Sequence, residues 1–307
     1  MKFHMAEQVV IFLVDGMRPD GLQQADSPNV DRLIASGRSC MTARTVMPSM
    51  TLPCHMSLFH SVEPDRHGIT TNTWMPQVRP IPGLIDVLHS AGKHTAAFYN
   101  WEELRDLSRP GSLDHAYFSN TSGDLSGQGD QEVAAAAARY FDDRKPEFGF
   151  VYLGATDETG HAHGWMSSQY IAAIGNADRC IGQVVDTMLE GGVAIVMADH
   201  GGHLKTHGTE SDDDMNIPLV ISKIGSENLG SIAKVGIIDV APTVVQLLGV
   251  DAPAAWVGSP IETAYCCSPS AARPKRSLDS FRRCNNLARA CWRSLPKRPA
   301  HSDKPRT

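Results

Sequence analysis

Three aspartates close apolar runs at widely separated points of the chain: Asp15 in FLVDG, Asp157 in YLGATDETGH and Asp199 in IVMADHGG. Histidines accompany two of them. His161 follows Asp157 by four residues, His200 directly follows Asp199, and His207 lies in a Gly-flanked loop just beyond. Carboxylate oxygens and imidazole nitrogens are the ligands that divalent zinc accepts and, less tightly, manganese. There are enough of them for two ions. One Asp after an apolar run is commonly only a turn residue or a helix cap, so the reading rests on the three together. His203 competes with His207 because both occupy one loop. His163 reads as a surface residue, and His55, His60 and His67 read as packing residues or supports for the ligands.

The segment 47–72, MPSMTLPCHMSLFHSVEPDRHGITTN, supplies the other half of the chemistry. Pro48 and Pro53 bracket a short turn, and Pro53 suits the first position of a helix, which puts Thr51 at the helix N-terminus. Backbone N–H groups and the helix dipole favour an anion there. A threonine hydroxyl is a poor nucleophile at neutral pH, but coordination to a metal lowers its pKa and activates it without a histidine base. The plain alternative for Thr51 is a helix cap.

Residues so far apart need a scaffold that gathers them. Residues 9–14, VVIFLV, form a continuous apolar run, as expected of a strand buried on both faces. Residues 148–155, 193–198 and 217–221 read the same way, and 95–99 is a weaker fifth. Between them, Ser27-Pro28 opens a helix through about Ser36 that Gly37 stops, and 131–143, 168–190 and 238–248 are further helices. The alternation predicts an α/β fold with a mainly parallel central sheet and helices on both faces. Open sheets of this kind bind ligands at the carboxyl edge of their strands, where the three acids would converge. Residues 105–130, rich in Ser, Gly, Asp and Asn, read as a long loop or small insertion.

Composition bounds the alternatives. Of 307 residues, 42% are apolar and 20% charged, and no run approaches the ~18 apolar residues of a membrane-spanning helix, which argues against a disordered or integral membrane protein. The N-terminus reads as a first strand without a signal-peptide cleavage site, so the expected compartment is the cytoplasm. The net charge of -6 hides a division: residues 256–307 hold eleven Lys/Arg against three Asp/Glu, a local +8, leaving -14 for residues 1–255. The expected organisation is a catalytic domain over 1–255 and a basic, flexible tail over 256–307, with a short amphipathic helix near 280–294 as the alternative. A body charged to -14 repels a polyanion, which argues against a nucleic-acid partner. Four of the seven cysteines (Cys266, Cys267, Cys284, Cys291) lie in the tail, and none of the seven shows paired metal-ligand spacing.

Taken in order, VVIFLVDGMRPD, MTLPCHMSLFHSVEPDRHGITTN, DETGHAHG, MADHGGHLKTHG and IIDVAPTVVQLLGV resemble the alkaline phosphatase superfamily, and within it the type I phosphodiesterase/nucleotide pyrophosphatase family. The resemblance implies an alkaline-phosphatase-like three-layer sandwich and a two-metal phosphoester hydrolase acting through a phosphothreonine. It places Thr51 as nucleophile, Asp15, Thr51, Asp199 and His200 on one ion, and Asp157, His161 and His207 on the other. Zinc is the expected metal and manganese the alternative. Asn72 matches an asparagine that donates to a nonbridging phosphoryl oxygen.

Departures from the superfamily narrow the reading. Thr51-Leu52-Pro53-Cys54-His55 lacks both the oxidisable residue and the arginine of the sulfatase C/S-x-P-x-R pattern. Gly202 follows the DHG triplet where nucleotide pyrophosphatases usually have Met, and there is no room for the large cap domain of related phosphomutases. Substrate specificity is therefore expected in an insertion over 73–130, where Trp74, Tyr99 and Trp101 are candidates to stack on a base or an aryl group, with core packing near the sheet edge as the commoner role of such residues. The expected partner is a small-molecule phosphoester. The competing readings are a phosphomonoesterase or phosphonate hydrolase of the same superfamily, and a metal-binding protein without turnover.

Overall fold

The computed structural model describes residues 5–121, 123–226 and 230–262. Its strands are β1 (Val9–Val14), β2 (Arg38–Arg44), β3 (Thr95–Tyr99), β4 (His115–Phe118), β5 (Phe148–Leu153), β6 (Val193–Met197), β7 (Asn216–Lys223) and β8 (Gly230–Ser231). The helices are α1 (Pro19–Gln24), α2 (Pro28–Ser36), α3 (Thr51–His60), α4 (Pro64–His67), α5 (Leu84–Ser90), α6 (Gln128–Arg144), α7 (Ala155–His163), α8 (Ser168–Val185), α9 (Asp212–Met215) and α10 (Val240–Leu247).

The strands form one sheet in the order β4-β3-β5-β1-β6-β7-β2-β8. β1 lies at the centre, parallel to β5 on one side and β6 on the other, and every residue of these three strands is buried. That burial explains their unbroken apolar sequences, each side chain contributing roughly 1.5–3 kcal/mol. Two sets of helices cover the sheet: α2, α6, α7 and α8 pack on one another, and α3, α5 and α10 form a second set. Together these give the expected α/β architecture of a mostly parallel sheet between helices.

Register brings the carboxyl ends of the central strands together. Leu13 of β1 lies opposite Tyr152 of β5 and Met197 of β6, so Asp15, Asp157 and Asp199 leave the sheet from three neighbouring strands about 4.8 Å apart.

The structure departs from the sequence reading in several places. β7 runs antiparallel to both β6 and β2, although its apolar run reads like that of a parallel strand. It carries Pro218, which cannot donate to a ladder; the register of β2 shifts opposite it, between Cys40 and Ala43. The stretch 105–130 is more than a loop, since β4 extends the sheet beside β3 and α6 begins at Gln128. β4 alternates half-buried and exposed residues at the sheet edge, which leaves no apolar run to read. The packed body also continues beyond the expected boundary at 255. Trp256 and Ile261 are buried, Trp256 Nε1 donates to Pro82 O, and Ile261 N donates to Thr243 Oγ1. The remainder of the basic tail, with its four cysteines and the segment 280–294, lies outside the described residues.

Candidate active site

Each predicted acid is placed by a local element. Asp15 follows the last residue of β1, Asp199 follows β6, and Asp157 lies in the first turn of α7 with His161 one turn further along the same helix face. Thr51 is the first residue of α3, a helix buried along its whole length, so its hydroxyl faces the same crevice from the other side. The 200–207 loop brings in His200 and His207, whose rings stack with centroids 3.9 Å apart.

The carboxylates are held in a one-sided way. Asp15 Oδ2 accepts the Tyr152 hydroxyl, while its Oδ1 is buried without a hydrogen-bond partner. Asp199 Oδ1 accepts the N–H of Gly16 and its own neighbour His200, while its Oδ2 is partnerless. Asp157 Oδ1 is partnerless too. A buried carboxylate oxygen left unpaired is costly unless a cation completes it.

The histidines repeat one device. His200, His161 and His207 each donate Nδ1–H to a backbone carbonyl, of Gly201 at 2.7 Å, Lys205 at 3.0 Å and Ser49 at 2.9 Å. That orients the ring and reserves Nε2 for a metal. His200 Nε2 lies 3.2 Å from Asp15 Oδ1, 3.5 Å from Asp199 Oδ2 and 3.3 Å from Thr51 Oγ1. His161 Nε2 and His207 Nε2 lie 3.4 and 3.7 Å from the two oxygens of Asp157. Ligand atoms of Asp157, His161 and His207 fall within 4.8 Å of one another, as do those of Asp15, Asp157 and His200. Unpaired oxygens and lone-pair nitrogens in two adjoining groups fit a pair of divalent ions.

The electrostatics point the same way. Burial alone would raise the Asp15 carboxyl, but the nearby His200 imidazole, with the Tyr152 hydroxyl, brings it down to about 2. Burial and then the charge of Asp15 push Asp199 well above the usual carboxylate range. His200 is driven down by burial, yet Asp199, Asp15 and Asp157 outweigh this and raise it to about 10. The hydrogen bond that the protonated ring donates to Asp157 is the main cause that lifts His161 to about 9. The cluster therefore holds positive charge wherever it can, as protons on these nitrogens or as metal.

Asn72 is pinned at the mouth of the site. Its Oδ1 accepts the Leu52 N–H at 3.0 Å, one of the unpaired donors at the start of α3, and this leaves the Nδ2 donors free to turn to the cavity beside Thr51. That cavity, of about 210 Å³, is lined by Thr51, Asp15, Asn72, Asp157, Tyr152 and Trp101 among others. Of the three expected aromatic contacts, only Trp101 lies there. Trp74 lines a separate cleft with His60 and Leu107, and Tyr99 is buried with its ring 5.5 Å from that of Phe118. His203 pairs with Asp214 at 2.8 Å, so His207 is the histidine of this loop that faces the acids.

Three neighbours went unnoticed as site residues in the sequence. Tyr152 and Asn100 line the cavity, and Trp165 sits behind it. Tyr152 had a signal, since it precedes the end of an apolar strand by one residue. His55, expected behind the ligands, lies there: its Nδ1 donates to Thr51 O at 2.7 Å and stands 3.5 Å from Asp199 Oδ2. Burial lowers it to about 4, so it stays neutral beside Asp199.

Comparison with known proteins adds to this geometry. Residues 9–204 match the family model described as type I phosphodiesterase / nucleotide pyrophosphatase. A 2,3-bisphosphoglycerate-independent phosphoglycerate mutase from Symbiobacterium thermophilum is 29% identical over 130 residues, 40% of this chain and 24% of the mutase. Ectonucleotide pyrophosphatase/phosphodiesterase family member 1 from Homo sapiens is 24% identical over 216 residues, 62% of this chain and 23% of that protein. The chain thus spans about a quarter of the length of the curated relatives it matches. Murine ectonucleotide pyrophosphatase/phosphodiesterase 5, solved as an inactive threonine-to-alanine variant with AMP, superposes with a TM-score of 0.68 at 14% identity. The superposition covers 83% of this chain and 97% of that one, and at this identity it bears on the fold alone. It supports the alkaline-phosphatase-like architecture. Among the described residues no helix is long and apolar enough to cross a membrane.

Proposed function

Because the chain belongs to the type I phosphodiesterase / nucleotide pyrophosphatase family, we propose that it hydrolyses small-molecule phosphodiesters or nucleotide pyrophosphates, with Thr51 as nucleophile and two divalent cations as cofactors. The observation that carries this reading is the position of Thr51. Its hydroxyl begins a buried helix, 3.3 Å from His200 Nε2, in a cavity also lined by Asp15 and Asp157, each with one unpaired carboxylate oxygen. A pure metal-binding site has no need of that hydroxyl.

Asp15, Thr51, Asp199 and His200 would hold one ion and Asp157, His161 and His207 the other. Mixed Asp/His ligation suits zinc, with manganese as the alternative. Bound there, the ions would supply positive charge that makes the threonine hydroxyl acidic and offsets charge on the phosphoryl oxygens. Thr51 Oγ1 gives up its proton to solvent and forms a bond to phosphorus, the bond from phosphorus to the departing oxygen breaks, and a departing alkoxide takes a proton from solvent to leave as the alcohol. Water then cleaves the phosphothreonine and restores the hydroxyl. Asn72, held through Leu52, directs Nδ2–H to a nonbridging oxygen, where one well-aimed donor is worth about 100–1,000-fold in rate. With a body charged to -14, polymeric nucleic acid is a poor partner.

The test is Thr51→Ala, assayed for metal content and for hydrolysis before and after chelation. It should keep both ions and the fold and lose turnover; near wild-type turnover would remove Thr51 from the mechanism. A diester hydrolysed no faster than a monoester or a phosphonate at equal metal loading would overturn the substrate assignment.

A further inference from the structure

We propose that Trp165 is a positioning residue for His161 and His207, seated in a slot that Gly160 and Gly202 leave open. The proposal rests on the metal reading of the site. Trp165 lies just beyond α7 and is 7% exposed. Its ring stands edge-on to both histidines, with centroids 5.1 Å from His161 at 85° and 5.9 Å from His207 at 64°.

The indole also ties together the three segments that carry the site. Nε1–H donates to Gly16 O at 2.9 Å, the residue after Asp15. The backbone N–H of Trp165 donates to Leu204 O at 2.8 Å, within the loop that ends in His207. Gly160 belongs to α7, between Asp157 and His161. A Cβ at Gly202 would come within 2.2 Å of the indole, and one at Gly160 within 2.8 Å, so the ring lies flat against both backbones. Any side chain at either position must displace it.

Such support has a clear purpose. The Nδ1 hydrogen bonds of His161 and His207 fix one edge of each ring, but a ring held by one bond still rocks about it. His161 most needs a lateral stop, because its side chain is 42% exposed. The indole provides that stop, keeping Nε2 turned to Asp157. Trp165 belongs to the buried core and its ring lies 6.2 Å from that of Tyr170, but it also meets two imidazoles and glycine backbone, and its Nε1 joins the Tyr170 hydroxyl in holding Gly16 O in the turn after Asp15.

The experiment measures Zn²⁺ affinity at each site of the full chain by competition with a chromophoric chelator, alongside the melting temperature of the metal-free protein. Trp165→Ala is expected to weaken one of two Zn²⁺ equilibria about 10–100-fold, the usual effect of removing a support behind a ligand, and to leave the other within about threefold. Gly202→Ala should produce the same selective loss. The double variant should be no worse than Trp165→Ala, because the ring that the new methyl would strike is gone. Trp165→Phe, which keeps an aromatic ring, guards against misfolding of the alanine variant and should show a smaller loss at the same site. A folded variant at Trp165 that leaves both equilibria unchanged, or strictly additive effects of the two substitutions, would overturn the proposal. Wild-type protein that binds no Zn²⁺ would instead overturn the reading of the site itself.

Discussion

Tyr152→Phe removes a single oxygen from the wall of the site, and its consequence can be worked out from the contacts of Asp15. Tyr152 is buried and its hydroxyl is the donor to Asp15 Oδ2; Asp15 Oδ1 is left for a cation. Without that donor, Oδ2 is an unpaired charged oxygen in a dry site, and the carboxylate is free to swing so that Oδ1 no longer points at the ion. A hydrogen bond to a charged group contributes about 1.5–3 kcal/mol, equivalent to roughly 10–150-fold in an equilibrium constant. We expect the ion held by Asp15 to bind about 10–100-fold more weakly and kcat/KM at sub-saturating metal to fall in parallel, with activity partly restored by excess metal. The loss should be flat between pH 6 and 9. Burial and the nearby acids push the Tyr152 hydroxyl far above its ordinary value, so it stays protonated, and Asp15 begins from about 2 and remains ionised. The assay is chelator competition at several pH values, with melting temperature as a control for folding. Affinities within twofold of wild type at both sites in a folded protein would refute the argument.

Further outcomes follow from the same contacts. Asn72→Asp keeps an acceptor for the Leu52 N–H but loses the donor, so it should lower kcat about 100-fold or more while melting within a few degrees of wild type; Asn72→Ala should lower both. In the metal-free protein, His161 at about 9 and His200 at about 10 lie above their ordinary value of 6.5. Their stabilisation is fully present below pH 6.5 and is lost as pH rises through 9 and 10, so calorimetry should show the melting temperature falling over that window, and less steeply with metal bound. Metal binding at pH 7 should release at least the protons on these two nitrogens, measurable by titration calorimetry in buffers of different ionisation enthalpy. Cutting the chain after Ala255 removes the buried Trp256 and Ile261 and should cost about 3–5 kcal/mol in denaturant unfolding. A truncated protein as stable as the full chain would return the domain boundary to 255.

Much of the architecture is legible because its signals are local. The central strands are buried on both faces, and a strand in that position has to be apolar throughout, which makes β1, β5 and β6 readable without partners. β2 and β4 escape the same reading because they lie towards the sheet edges, β2 with a largely polar, half-exposed sequence and β4 only four residues long and half-exposed. The direction of β7 is invisible for a different reason: both orientations bury the same apolar residues, and only pairing with β6 and β2 distinguishes them.

The candidate site divides along the same line. From the sequence alone one reads the kinds of ligand, Asp15, Asp157 and Asp199 at strand ends with their histidines, and Thr51 at a helix start, because strand ends and helix termini carry local signatures. Which residues meet is decided by tertiary structure. Adjacency of β5, β1 and β6 joins the acids, a carbonyl partner for each Nδ1 aims the rings, and the pairing of His203 with Asp214 leaves His207 to face the cluster. The same packing sends Trp74 to another cleft and lays Trp165 against two glycines. Side-chain direction depends on contacts that the fold brings together, some of them between distant segments such as His207 Nδ1 with Ser49 O, 158 residues away, and residue type alone does not contain that information.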